Sequence, residues 1–123
     1  MIVLGAEYTR NEINLLVGGS KQTYLPTKNG LVVAACLTIK LNPQAPQVII
    51  CGSGKQISRT GLMLAQQTTA TPVFIKIAQN KWQFKGFFKA ANSHVSGFDF
   101  ERLVEVSGRS LLDVSRVIEM IPA

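Results

Sequence analysis

Nine cations occupy the stretch between Ile13 and Phe98, with no carboxylate among them: Lys21, Lys28, Lys40, Lys55, Arg59, Lys76, Lys81, Lys85 and Lys89. All seven acids lie towards the ends, at Glu7, Glu12, Asp99, Glu101, Glu105, Asp113 and Glu119. A region of one sign sets up a positive field that draws polyanions. A few scattered lysines would serve solubility alone. Nine without a compensating acid point instead to a nucleic-acid partner. The same distribution excludes several chemistries. Magnesium sites and paired-carboxylate glycosidases need acids where this chain has none. One histidine, His94, and two cysteines without a CxxC spacing, Cys36 and Cys51, do not assemble a zinc site. His94 shares one short connection with Ser93, Ser96 and Asp99, and nothing there is a nucleophile elbow, so it reads as a surface loop residue. The thiols read as reduced core residues. No metal, cofactor or catalytic residue is assigned.

Phosphate contacts are expected from several places. Gly52-Ser53-Gly54-Lys55 follows a strand and opens a helix. Its amides, the helix dipole and Lys55 can hold a phosphate, with Arg59 one turn on. It is not a Walker loop, and a plain helix start explains it equally well. In a hairpin turning at Asn80-Lys81, Lys76 stands across from Lys85, with Lys81 and Lys89 near the strand ends. Like charges so placed repel unless an anion lies over them. Phe87 shares that outward face with Phe74 and offers a ring for stacking, Phe74 being the better covered of the two. Trp82, Phe84 and Phe88 face inward. Arg109 and Arg116 flank the last strand and add phosphate contacts, unless they pair with Asp113 or Glu119.

The elements that must position these residues follow from periodicity and breakers. With 123 residues, 46% of them apolar, the chain is expected to form one domain over 1–123. Strands are expected at 13–17, 31–39 and 47–51, with Tyr24-Leu25-Pro26 extended. A helix runs from Lys55 to about Gln67 behind an Ser53 cap, burying Ile57, Gly61, Leu64 and Ala65, with Gly61 allowing close approach. The hairpin pairs 72–79 with 82–90, and the hydrophobic pattern sets its register. A second helix spans 98–106, capped by Asp99 and closed by Ser107-Gly108, before a final strand at 114–121. The expected fold is therefore α+β: a small, mostly antiparallel, partly open β-barrel with two short helices. No apolar run reaches bilayer length and no basic leader precedes the fold, so a cytoplasmic protein without a membrane partner is expected.

Over 51–90 the order of segments resembles a known family. Gly52-Ser53-Gly54 is followed by Leu62-Met63-Leu64-Ala65, then Pro72-Val73-Phe74, then Trp82-Gln83-Phe84-Lys85-Gly86-Phe87-Phe88. This succession is similar to the SRA domain, the modified-cytosine reader of the PUA-like superfamily, whose relatives include EVE, YTH and ASCH domains. The resemblance implies a curved barrel that holds a nucleotide flipped out of its duplex, gripped by stacking and edge hydrogen bonds. Phe84-Lys85-Gly86-Phe87 stands where the family has Tyr-Asp-Gly-Tyr. The acid position is thus Lys85, and an acceptor for a cytosine amino group has to come from Asp99 or Asp113. Otherwise reading falls to Tyr24, Asn42, Asn92 or backbone groups.

The expected function is a nucleic-acid-binding module, DNA favoured over RNA, reading a modified or flipped-out base, with a restriction or defence nuclease as its effector. Base contacts are assigned to Tyr24, Asn42, Trp82 and Phe87. Phosphate contacts are assigned to Lys55, Arg59, Lys76, Lys85, Lys89, Arg109 and Arg116. One alternative is a metal-independent ribonuclease or nucleotide-modifying enzyme of ASCH type, with Lys85 or Lys55 stabilising charge on phosphorus. Another is a basic module that docks an acidic protein. The leading reading requires one concave aromatic pocket bordered by Lys85 and Lys55.

Overall fold

A computed structural model of the protein describes residues 2–123. After a short strand β1 (Glu7–Tyr8) comes a helix, α1 (Arg10–Val17), where residues 13–17 were expected to be a strand. The cause is a capping box. Thr9 Oγ1 accepts from the Glu12 amide at 3.1 Å, and Glu12 Oε1 accepts from the Thr9 amide at 2.8 Å. These bonds settle donors that a helix start leaves orphaned, and they outweigh the β-leaning run behind them. Gly18, at φ 85°, ends the helix. The segment expected as one strand at 31–39 is divided. β2 (Thr27–Lys28) and β3 (Leu31–Val32) form a small hairpin around Asn29-Gly30, both at positive φ. The chain then turns, and β4 (Ala35–Leu37) joins the main sheet.

β5 (Val48–Gly52) precedes α2 (Lys55–Gln66). Gly54, not Ser53, occupies the cap position of α2, and no side chain caps it; the Ser53 amide instead donates to the Asp113 carbonyl at 3.0 Å. β6 (Thr71–Ala78) and β7 (Lys81–His94) form the central hairpin. α3 (Phe98–Ser107) starts from Gly97 with no side-chain cap, so Asp99 lies inside its first turn, and Gly108 closes it in the left-handed conformation. A 3-10 turn (Leu111–Asp113) leads into β8 (Val114–Pro122). There are thus three α-helices among the described residues, where two were expected.

The fold is α+β, with a mostly antiparallel mixed sheet in the order β4-β6-β7-β8-β5. Only β4 and β6 run parallel. β7 is the spine: β6 lies on one edge, while the other takes β1 at Trp82 and Gln83 and β8 from Phe88 onward. The hairpin turns at Gln79-Asn80, since Ala78 pairs with Lys81, and two bulges interrupt it. Its register therefore differs from the expected one. Phe74 pairs with Phe84, and Lys76 with Trp82. Lys76 and Lys85 do not oppose each other. The turn moved by one position because Asn80, at φ 51°, takes the left-handed site of the turn. Asn80 Oδ1 then accepts from the Arg10 amide at 3.0 Å, which ties α1 to the hairpin.

Strand pairing stops at β4 and β5, so the sheet is open between them. A core of Leu25, Ile49, Cys51, Leu64, Val73 and Ile118 packs between the sheet and α2. α3 covers a second cluster that includes Val48, Val114 and Val117. α1 delivers Ile13 onto a third, with Phe74, Trp82 and Phe84. No helix is long and apolar enough to cross a membrane.

Candidate nucleic-acid interface

The gap between β4 and β5 opens into a cavity of about 670 Å³. Cys36 and Thr38 contribute one wall, and Ile50 and Gly52 the other. Gln56, Ile57 and Thr60 of α2 close one end, while Arg10, Lys76 and Trp82 close another. The segment before β2 supplies Lys21, Gln22, Thr23 and Tyr24. Four cations line this space, Arg10, Lys21, Lys76 and Arg109, and no carboxylate does. The volume falls in the range of small-molecule sites, which run from roughly 300 to 1,000 Å³.

Three of the residues assigned to base contact meet here. Trp82 is a core residue on one side and cavity wall on the other. Arg10 Cζ lies 5.3 Å from its ring centroid and Lys76 Nζ 5.8 Å, so two cations address one indole. The Tyr24 hydroxyl donates to the Ile57 carbonyl at 2.7 Å, fixing the ring against α2. Burial above all raises the Tyr24 pKa, so the phenol stays protonated. Asn42 is buried and its amide is engaged internally. Its Oδ1 accepts from the Ile50 amide at 2.8 Å, and its Nδ2 donates to the Thr38 carbonyl at 3.4 Å. Asn42 therefore shapes the cavity by bracing its two walls. Cys36 lines the cavity too, and burial pushes its thiol up to about 11.

The cations separate into groups. Arg109 reaches the cavity with Nη1 donating to the Ile50 carbonyl at 3.4 Å. Lys55, Arg59 and Arg116 line a second, shallower hollow of about 390 Å³ with Ser58, Leu62 and Ser115. Arg116 donates to Ser93 Oγ and Arg59 Nη2 to Gln56 Oε1, so neither pairs with an acid. α2 stands between the two hollows. Lys85, Lys89 and Phe87 line neither of them, so the expected single aromatic pocket bordered by Lys85 and Lys55 does not form: the cations divide between two hollows and the open face of the hairpin. Phe87 packs edge-on against Phe84 with its ring partly exposed, and Lys85 projects from the first bulge. Asn92 lies exposed opposite Glu119. Asp99 pairs with Arg102 at 3.4 Å. His94 is not on a loop: it ends β7, and its Nε2 lies 2.7 Å from Glu119 Oε2. Both cysteines are free and buried. Among the described residues, no three His, Cys, Asp or Glu side chains stand together as a metal site.

Arg10 and Lys21 escaped sequence reasoning. Arg10 was legible, because Thr9-Arg10-Asn11-Glu12 carries the capping-box spacing that makes it the first helical residue. Lys21 reaches the cavity only through tertiary folding of its loop. No family model, curated protein or solved structure matches this chain.

Proposed function

We propose that this protein binds nucleic acid, with DNA favoured, and lodges one base or nucleotide of it in the cavity between β4 and β5. On this reading the sheet is a PUA-like barrel left open along one seam, and the seam is the mouth of the site. One observation carries the reading: Tyr24 and Trp82, two aromatic rings far apart in sequence, share a nucleotide-sized cavity with Lys76 and Arg109. Flat rings supply stacking, and cations supply the phosphate term. The resemblance of residues 51–90 to SRA domains supports the same assignment. The second hollow, behind α2, then takes the backbone flanking the lodged nucleotide through Lys55, Arg59 and Arg116. An effector nuclease belongs to the proposal as the partner that acts on what is read.

The test is a salt titration of oligonucleotide binding. With ~5 phosphates neutralised, log K against log salt has a slope of about −4.5 for duplex DNA. Replacing Lys55, Arg59 and Arg116 together with Gln flattens the slope by roughly 2 to 3. Replacing Lys85 and Lys89, which line neither hollow, leaves it within about 1 of the parent. Failure to bind any oligonucleotide at low salt refutes the proposal.

A further inference from the structure

The Trp82 end of the cavity carries more positive charge than holding a neutral base requires. Arg10 is half-buried, and its bonds run from Nη2 to the Ser20 and Thr23 carbonyls, at 3.0 Å each. Carbonyls satisfy donors without neutralising charge. The ion pairs among the described residues, His94–Glu119 and Arg102–Asp99, involve none of the cavity cations. Arg10 Nε and Trp82 Nε1 are buried with no hydrogen-bond partner in the protein. Arg10 is also the first residue of α1, where the positive end of the helix dipole disfavours a cation. Lys76 leans over the same indole. Half-burial without a counter-charge is costly for Arg10, and an anion arriving beside Arg10 and Lys76 offsets the charge of both.

We infer that this end of the cavity is an oxyanion subsite, in which Arg10 and Lys76 grip a compact anionic oxygen group carried by the lodged nucleotide. The inference rests on the nucleotide reading of the cavity and sharpens it. Trp82 is the platform that orients both cations. Two ligands share the required chemistry, a ring bearing an oxyanion: a nucleotide with a terminal phosphate monoester, and a pyrimidine modified with a carboxylate.

Calorimetric titration of the full chain with thymidine 5′-monophosphate, 5-carboxy-2′-deoxyuridine and thymidine separates them. At least one of the two anionic ligands binds about tenfold or more tightly than thymidine, and the one that does identifies the source. Lys76→Gln removes an exposed ammonium without disturbing the core and abolishes that preference. Arg10→Lys weakens it, because an ammonium cannot both stack on Trp82 and present a planar fork. Equal affinity for all three ligands, or no binding of either anion, overturns the subsite. Oligonucleotide binding that is indifferent to both substitutions overturns it too, and leaves the nucleic-acid reading standing. Preference for an anionic ligand without any oligonucleotide binding upholds the subsite and overturns the nucleic-acid reading instead.

Discussion

A Cβ added at Gly61 stands 2.9 Å from Cys51 Sγ, 3.2 Å from Cys51 Cβ and 3.3 Å from the Tyr24 hydroxyl oxygen. The glycine in the middle of α2 is there for closeness. It lets the helix press on β5 and on the ring that lines the cavity. Gly61→Ala therefore gains helix propensity, roughly 1 kcal/mol, but forces a buried side chain aside. Overpacking of this kind costs about 1–3 kcal/mol, so the net change is destabilising, and urea unfolding at neutral pH measures it. Because Tyr24 is one of the displaced atoms' owners, the same variant weakens ligand binding more than its lost stability explains. A binding isotherm taken well below the melting temperature isolates that part.

At the scale of elements, α1 is the case where local signals and hydrophobic pattern disagreed. Residues 13–17 read as a strand by composition, and the helix formed because Thr9 and Glu12 close its first turn. Thr9→Ala removes half of that arrangement and is expected to cost about 1 kcal/mol in chemical denaturation. It also loosens Arg10, the next residue, so affinity for an anionic ligand falls along with stability. Most elements were legible where a run of one periodicity met strong breakers. Residues 47–51, the helix behind Gly54, the helix closed by Gly108 and the last strand all lie close to their expected bounds. Register was not legible. Asn80 carries no Cβ-free flexibility, yet it takes the left-handed position, and two bulges then slide β6 against β7. Such slippage depends on cross-strand packing and on the bond from the Arg10 amide, which no local window contains. The candidate site was legible only in part for the same reason. Tyr24 and Asn42 stand on connecting segments and Trp82 on β7, so only the tertiary fold brings them together, while Lys85 and Phe87, at and beyond the first bulge of β7, stay outside the cavity.

Across the molecule, the titration of buried thiols sets a limit at high pH. Burial raises both Cys36 and Cys51 from about 9 to about 11. An unfolded chain releases these protons near pH 9, while the folded chain keeps them. Stability is therefore unaffected by these groups below pH 9 and declines as pH rises from 9 towards 11. Each thiol contributes at most about 1.4 kcal/mol per pH unit across that window. Tyr24, raised in the same direction, extends the decline above its ordinary value of 10.0. Urea unfolding under reducing conditions at pH 8, 9.5 and 10.5 reads this slope. A Cys36→Ala, Cys51→Ala double variant has a shallower one, whatever its absolute stability. A slope equal to the parent's shows that the thiols are not the titrating groups.

The open seam has a consequence for solubility. Exposed strand margins invite neighbouring chains to pair with them and nucleate aggregates. Here both margins are already engaged from within. The Ile50 amide is taken by Asn42, and the Cys36 amide donates to the Tyr24 carbonyl at 2.7 Å. The sheet can thus stay open at the cavity with the central amide of each margin already satisfied and unable to recruit a further strand at that position.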